Sequence, residues 1–437
     1  MLKTLRNAWK VKEIRQKLIF TFMMLVVIRF GSELPIPGVK TDFFADFFAS
    51  QSNDAFGFFN AMTGGSFTSL SVFALSITPY ITSSIIMQLL TIAIPKLEEM
   101  QRDGEDGRKK IAEYTRYLTV GLALIESTAM AIGFGGRGLL LSYDVWSILI
   151  AVATMTAGSA FLMWIGERIT EKGVGNGISI VLLFNIISSL PADVNTIYSV
   201  FLRGKNIGAT VTIAILVLAF VCAMFAFVVV LQDGERRIPV QYSKKMVGRK
   251  LVGGQSSHIP LKVNTAGVIP VIFASSIMSF PVVIAQFFQP DYTTIGGKIL
   301  MMLNSSSWFR PDMPWYSVGL VIYLVLIVLF AYFYTSITFN PLEVANNMKK
   351  SGGFIPGIRP GKPTSDYLNK ILNYIVFIGA IGLIIVSVIP YFFNGVFGAS
   401  VSFGGTSLII IVSVVLETVK QVESQMLVRN YKGFLED

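Results

Sequence analysis

His258 is the only histidine among 437 residues and Cys222 the only cysteine, so the side chains that most often ligate metals or act as nucleophiles are almost missing. One cysteine can form neither an internal disulfide nor a cysteine-based metal site. The apolar stretches carry no paired carboxylates, histidine cluster or Ser-His-Asp set of the kind that hydrolysis or a proton relay uses. Two glycine-containing stretches imitate nucleotide motifs. Pro360-Gly361-Lys362-Pro363-Thr364 has the Gly-Lys of a phosphate loop, but Pro356 stands where the first glycine belongs and Pro363 where Ser or Thr is needed. Gly173-Val174-Gly175-Asn176-Gly177 has no strand ahead of it and reads as a tight turn opening a helix. The expectation is a protein with no catalytic residues, metal or cofactor, not itself an enzyme, whose energy comes from a partner.

The chemistry on offer is charge. Segment 232–264 carries Arg236, Arg237, Lys244, Lys245, Arg249 and Lys250, and segment 340–370 carries Lys349, Lys350, Arg359 and Lys362. Guanidinium groups bind phosphates and carboxylates alike, so such loops suit RNA or an acidic protein surface. A membrane must position them. Hydrophobic residues make up 53% and charged residues 14% of the chain, a balance unlike that of a soluble core. A span needs roughly 20 apolar residues, and ten stretches qualify: 18–36, 72–95, 113–134, 145–166, 177–192, 209–231, 266–288, 315–339, 369–393 and 404–427. Of the 36 Lys and Arg, 28 fall in segments that would share one side. Short Lys/Arg-rich loops stay in the cytoplasm, so both termini and both basic loops are placed there. The basic start, Lys3 to Lys17, runs into an apolar stretch with no small-residue cleavage site and reads as a retained first span.

The expected architecture is an all-α integral membrane protein with ten transmembrane helices in a 5 + 5 inverted repeat, because a five-span unit must re-enter the membrane in the opposite sense. Pro79 with Ile81-Thr82-Ser83-Ser84-Ile85-Ile86-Met87 in span 2 parallels Pro270 with Phe273-Ala274-Ser275-Ser276-Ile277-Met278 in span 7. The division is a 1–17 amphipathic arm suited to the membrane surface, a first half 18–192, an external hinge loop 193–208, a second half 209–427 and a 428–437 tail. Segment 58–71 is too polar and glycine-rich to cross and too apolar for an ordinary loop. It reads as a half-helix beside a cavity, since irregular backbone at membrane depth must be enclosed by protein or face water.

Along nearly its whole length the chain resembles the bacterial SecY family, central channel subunits of the Sec protein translocase. Motifs that carry the resemblance are Pro35-Ile36-Pro37-Gly38, Ile77-Thr78-Pro79-Tyr80-Ile81, Gly175-Asn176-Gly177-Ile178-Ser179-Ile180, Ala266-Gly267-Val268-Ile269-Pro270, Phe354-Ile355-Pro356-Gly357-Ile358-Arg359-Pro360-Gly361 and Gly404-Gly405-Thr406-Ser407-Leu408. The resemblance implies a channel that conducts unfolded secretory proteins across, and releases apolar helices into, the bacterial cytoplasmic membrane. It implies a pore ring of Ile77, Ile81, Leu182, Ile186, Ile272 and Ile410. It makes 58–71 a plug, with Phe58, Asn60, Met62, Gly64, Gly65, Phe67 and Leu70 as its residues. Thr82, Gln88, Asn264 and Phe280 would belong to a lateral gate toward lipid. The implied partners are SecE and SecG as small membrane subunits, the SecA motor ATPase and the ribosome at the basic loops, unfolded preprotein and signal-sequence clients, and phospholipid. Outside that pattern, Glu126 lies mid-span, where a charge needs a partner or a wet cavity, and Arg29 is the expected partner. The runner-up function is a secondary transporter of a small solute, which would require convergent polar groups where the pore ring is aliphatic.

Overall fold

The computed structural model describes residue 6 and residues 8–41, 63–202, 207–242, 245–247, 250–252, 256–287, 293–309, 314–397 and 405–432. The chain divides into two compact units, Met1–Asn195 with Val414–Asp437, and Thr196–Ser413.

The first unit is built from α1 (Lys12–Glu33), α2 (Thr78–Ala93), α3 (Pro95–Arg102), α4 (Glu105–Phe134), α5 (Val145–Lys172) and α6 (Gly177–Ile197), with the later part of α13 (Thr406–Lys432). Helix α1 stops where Leu34 precedes Pro35, as expected when the next residue is a proline. The following strand-like step is held by Ile36 N–H donating to Leu70 O (3.0 Å) and Val72 N–H to Leu34 O (2.9 Å). Pro95 bends the chain by 102° between α2 and α3, since proline removes a helical hydrogen bond and clashes with the preceding turn. Helix α4 buries Thr115, Thr119, Ala123, Ser127 and Ala131, one small residue per turn. Such a stripe lets membrane helices approach closely, and Ser127 Oγ meets Thr156 Oγ1 of α5 at 3.0 Å.

The arm does not stand apart from this unit. Ala8 and Ile14 are buried in one cluster with Val174 of the 173–177 turn and Val422 of α13, and Lys17 Nζ donates to Gln425 Oε1 (3.3 Å). Val174 N–H donates to Thr21 Oγ1 (3.2 Å), and Gly175, at φ +79°, lies where a Cβ would meet Ile180 and Thr418. The glycines of this turn are there for close approach, and Asn176 Oδ1 caps α6 by accepting from Ile178 and Ser179 N–H.

The second unit contains α7 (Ile207–Asp233), β1 (Glu235–Tyr242), β2 (Lys245–Val247), β3 (Lys250–Val252), β4 (Ser256–Lys262), α8 (Ile269–Phe287), α9 (Ile295–Leu303), α10 (Val318–Thr338), α11 (Pro341–Lys350), β5 (Gly353–Phe354), α12 (Lys362–Phe397) and the start of α13. Trp308 is its largest fully buried side chain. It packs tilted against Tyr323 and edge-on against Tyr391, donates from Nε1 to Met302 O (2.9 Å), and fits because Gly319 has no Cβ to occupy the same space.

Among the described residues, six helical stretches are long and apolar enough to cross a bilayer, or seven if the bent α2–α3 pair forms one span. The chain is a mostly helical, multi-pass membrane protein. The all-α expectation needs correction: β4-β1-β5 form a three-stranded sheet and β2-β3 a two-stranded one. Hydropathy reading missed them because exposed polar residues alternate with few buried ones, a pattern that resembles a charged loop.

Candidate docking platform and pore-lining residues

The two basic segments are one structure. β1 pairs antiparallel with β4 from Glu235↔Lys262 to Gln241↔Ser256, and its far end pairs with β5 as Gln241↔Phe354 and Tyr242↔Gly353. Along β1 the buried residues are Ile238 and Val240, as period-two alternation requires of a half-buried strand. They share a core with Leu261 of β4, Met348 of α11, Ile355, and Leu368, Ile371 and Ile375 of α12. The floor of the platform is therefore the first turns of a 36-residue helix that continues into the most buried apolar stretch of the unit.

Outward from that core the surface is basic. Arg236, Lys262, Lys349, Lys350, Arg359, Lys362 and Lys370 are exposed, and Arg237 is also exposed but bridges to Glu235 (Nε–Oε1 2.7 Å). Arg359 makes no ion pair among the described residues. Its backbone is fixed on both sides: Ile355 is buried, Ile358 N–H donates to Ile355 O (3.0 Å), and Thr364 Oγ1 donates to Arg359 O (2.8 Å). Gly357 and Gly361 take positive φ of 82° and 103°, which only glycine adopts without strain. A guanidinium is thereby held out on a braced turn. Lys245 and Lys250 lie on the β2 and β3 backbones, while Lys244 and Arg249 fall outside the described residues.

Of the expected pore and gate residues in the second unit, Ile272 and Ile410 are buried and Phe280 is 66% exposed. Asn264 is buried, and its Nδ2 has no hydrogen-bond partner among the described residues. A buried amide without a partner costs on the order of 1–3 kcal/mol. In the first unit, Ile77 is fully buried as the cap of α2, Ile81 is half-buried one turn on, and Leu182 and Ile186 are buried one turn apart on α6. Thr82 Oγ1 is satisfied within its helix by Thr78 O (3.1 Å), and Gln88 is exposed.

The expected half-helix 58–71 is only partly among the described residues, where Thr63 is helical. Phe58, Asn60 and Met62 lie outside the described residues, and from Gly64 to Ser71 the chain forms successive tight turns, with α2 starting only at Thr78. Gly64, at φ +64°, abuts the backbone of Asn185, so a Cβ there would strike Asn185 O. Phe67 and Leu70 are buried, and Leu70 takes a φ of +46° that a branched side chain rarely adopts. Threonine hydroxyls support these turns by bonding locally: Phe67 N–H donates to Thr63 Oγ1 (3.3 Å) and Thr68 Oγ1 to Gly65 O (2.9 Å).

Asn185 is a residue the sequence reading passed over. Its Nδ2 donates to Ser76 Oγ (2.9 Å) in a buried contact between α6 and this segment, and its position on a predicted apolar span was the available signal. The expected Glu126–Arg29 pair is not formed. Arg29 bridges to Glu33 one turn along α1 at 2.5 Å, and half-buried Glu126 on α4 has no ion-pair partner among the described residues.

Several long apolar helices and a sheet-built basic platform make this a multi-pass membrane protein. The SecY family model matches residues 71–419, and this chain belongs to the SecY family. The protein translocase subunit SecY of Halalkalibacterium halodurans is 42% identical over 442 residues, covering all of both chains. Those of Streptomyces scabiei and Bacillus subtilis are 43% and 42% identical, again over the full length of each. The fold also matches a solved protein conducting channel at 18% identity, a TM-score of 0.63 and coverage of 95% of this chain and 94% of that one. A Sec61 structure from a canine ribosome–channel complex matches at TM-score 0.60, 18% identity and the same coverage.

Proposed function

We propose that this chain is the protein-conducting channel of a bacterial Sec translocase: it passes unfolded secretory chains across the cytoplasmic membrane and releases apolar helices sideways into it. Full-length similarity to curated translocase subunits at 42–43% identity carries this reading. As a SecY family member the chain is a channel and not an enzyme.

In this reading ten spans form a 5 + 5 inverted repeat with both termini cytoplasmic. Ile77, Ile81, Leu182, Ile186, Ile272 and Ile410 form an aliphatic collar, which offers an ion no substitute for its hydration shell and parts for an extended polypeptide. Segment 58–71 is the plug, and Thr82, Gln88, Asn264 and Phe280 line the lateral gate. The unpartnered Asn264 amide supports that assignment, because a polar group lacking a local partner is one that exchanges partners when a gate moves. SecE and SecG are the small membrane partners, and SecA or the ribosome docks on the basic platform. A solute transporter is disfavoured, since all six collar positions are aliphatic. The test is site-specific crosslinking of a stalled preprotein: each of the six positions should capture it, and capture at none of them would overturn the reading.

A further inference from the structure

We infer that Asn185 is a positioning residue of the closed channel: it latches the run of turns between Thr63 and Ile77 onto α6, and release of that latch is part of opening. The inference rests on the plug and collar assignments proposed above and adds to them a contact that couples one to the other.

The bond joins the neighbours of two collar positions. Asn185 immediately precedes Ile186 on α6, Ser76 immediately precedes Ile77, and Asn185 Nδ2 donates to Ser76 Oγ at 2.9 Å. Both residues are buried, at 4% and 1% exposure, so water does not compete for the bond. Flanked by Val181-Leu182-Leu183-Phe184 and Ile186-Ile187, the Asn185 amide is costly to bury without a partner. Ser76 is held at φ +50°, in the left-handed region that a residue with a Cβ seldom occupies. Backbone of that kind persists only where its surroundings over-determine it. The local support at Ser76 is a turn bond from its N–H to Phe73 O (2.8 Å), and the Asn185 amide adds a tertiary one. Since Ile77 caps α2, relaxation of Ser76 would re-aim the first collar residue. The start of the run meets the same asparagine. Gly64, at φ +64°, packs on the Asn185 backbone, where a Cβ would lie 2.8 Å from Asn185 O. Asn185 therefore grips the run near both ends, one through its backbone and the other through its side chain. An interaction made in only one of two states biases the equilibrium toward that state, and this one is lost when the run of turns leaves α6.

Resting ion conductance of the channel complex in planar bilayers is the test. Asn185→Leu keeps the side-chain size and removes the donor, and Ser76→Ala removes only the accepting oxygen. Each should raise the open fraction at rest about fivefold, the worth of one buried hydrogen bond. Because both act through the same bond, the double variant should leak no more than the leakier single one. Ser76→Gly also removes the acceptor but adopts φ +50° without strain, so it should leak less than Ser76→Ala. Deletion of residues 60–70 is the reference, and the folded complex recovered from membranes is measured for every variant. A residue that served only packing would lower that yield and leave the conductance per channel unchanged. If the deletion leaves resting conductance unchanged, the plug reading falls and the latch with it. If the deletion raises it while Asn185→Leu and Ser76→Ala do not, or if the two single effects multiply in the double variant, the plug reading stands and the latch is overturned.

Discussion

Arg359 owes its reach to its neighbours. Pro356 and Pro360 stiffen the turn, Gly357 and Gly361 allow its positive-φ corners, and Ile355 anchors one side and the Thr364 hydroxyl the other, so that among the described residues no ion pair competes for the side chain. Reversing one charge of a well-desolvated contact costs about 2–5 kcal/mol, a loss of roughly 30-fold or more in affinity. With SecA docking as proposed, Arg359→Glu should cripple SecA-driven export while leaving detergent-solubilised protein folded. A normal export rate would shift the role to the platform's lysines. At the proposed collar, solvation decides the outcome. Ile410 is buried, and an asparagine there loses about 1–3 kcal/mol in a dry, closed state that a hydrated open state returns. Ile410→Asn should increase export of a reporter with a defective signal sequence, and stricter signal dependence would contradict the assignment.

At the scale of elements, the decisive one is the run of turns from Gly64 to Ser71. It is clamped to Leu34 and Ile36 by backbone hydrogen bonds and abuts Asn185 through Gly64, yet it contributes no regular helix or strand to hold it there. An element fixed by a few local bonds opens at lower cost than a packed helix. Deleting residues 60–70 should leave translocation running and make the resting channel conduct ions in planar bilayers. An unchanged resting conductance would remove the plug assignment.

For the molecule as a whole, the charge asymmetry makes a topological prediction. A reporter enzyme active only outside the cytoplasm should be active when fused within 193–208 and inactive when fused after Asp437 or within 243–255. Activity at either of the last two sites would overturn the orientation. The platform's floor and a transmembrane stretch being one helix, α12, also means that force on the basic surface enters the second unit without crossing a loop.

The sequence by itself determined the apolar helices, the basic segments and the motifs that place the chain in its family. These are local properties: hydropathy sums over a window, Pro35 ends a helix wherever it stands, and motif residues are read in order. Tertiary structure alone decided that Gly353-Phe354 forms a strand, that Asn185 reaches Ser76, and that Ala8 and Ile14 pack on Val174 and Val422, whereas the Arg29–Glu33 bridge is a local i,i+4 pair on one helix. A two-residue strand has no periodicity to detect, and its stability comes from a partner strand more than 100 residues earlier and from the core beneath it. A buried amide or a mid-span carboxylate announces only that it needs a partner. Which partner it finds depends on which helices fold against its own, and that is settled by packing over the whole unit.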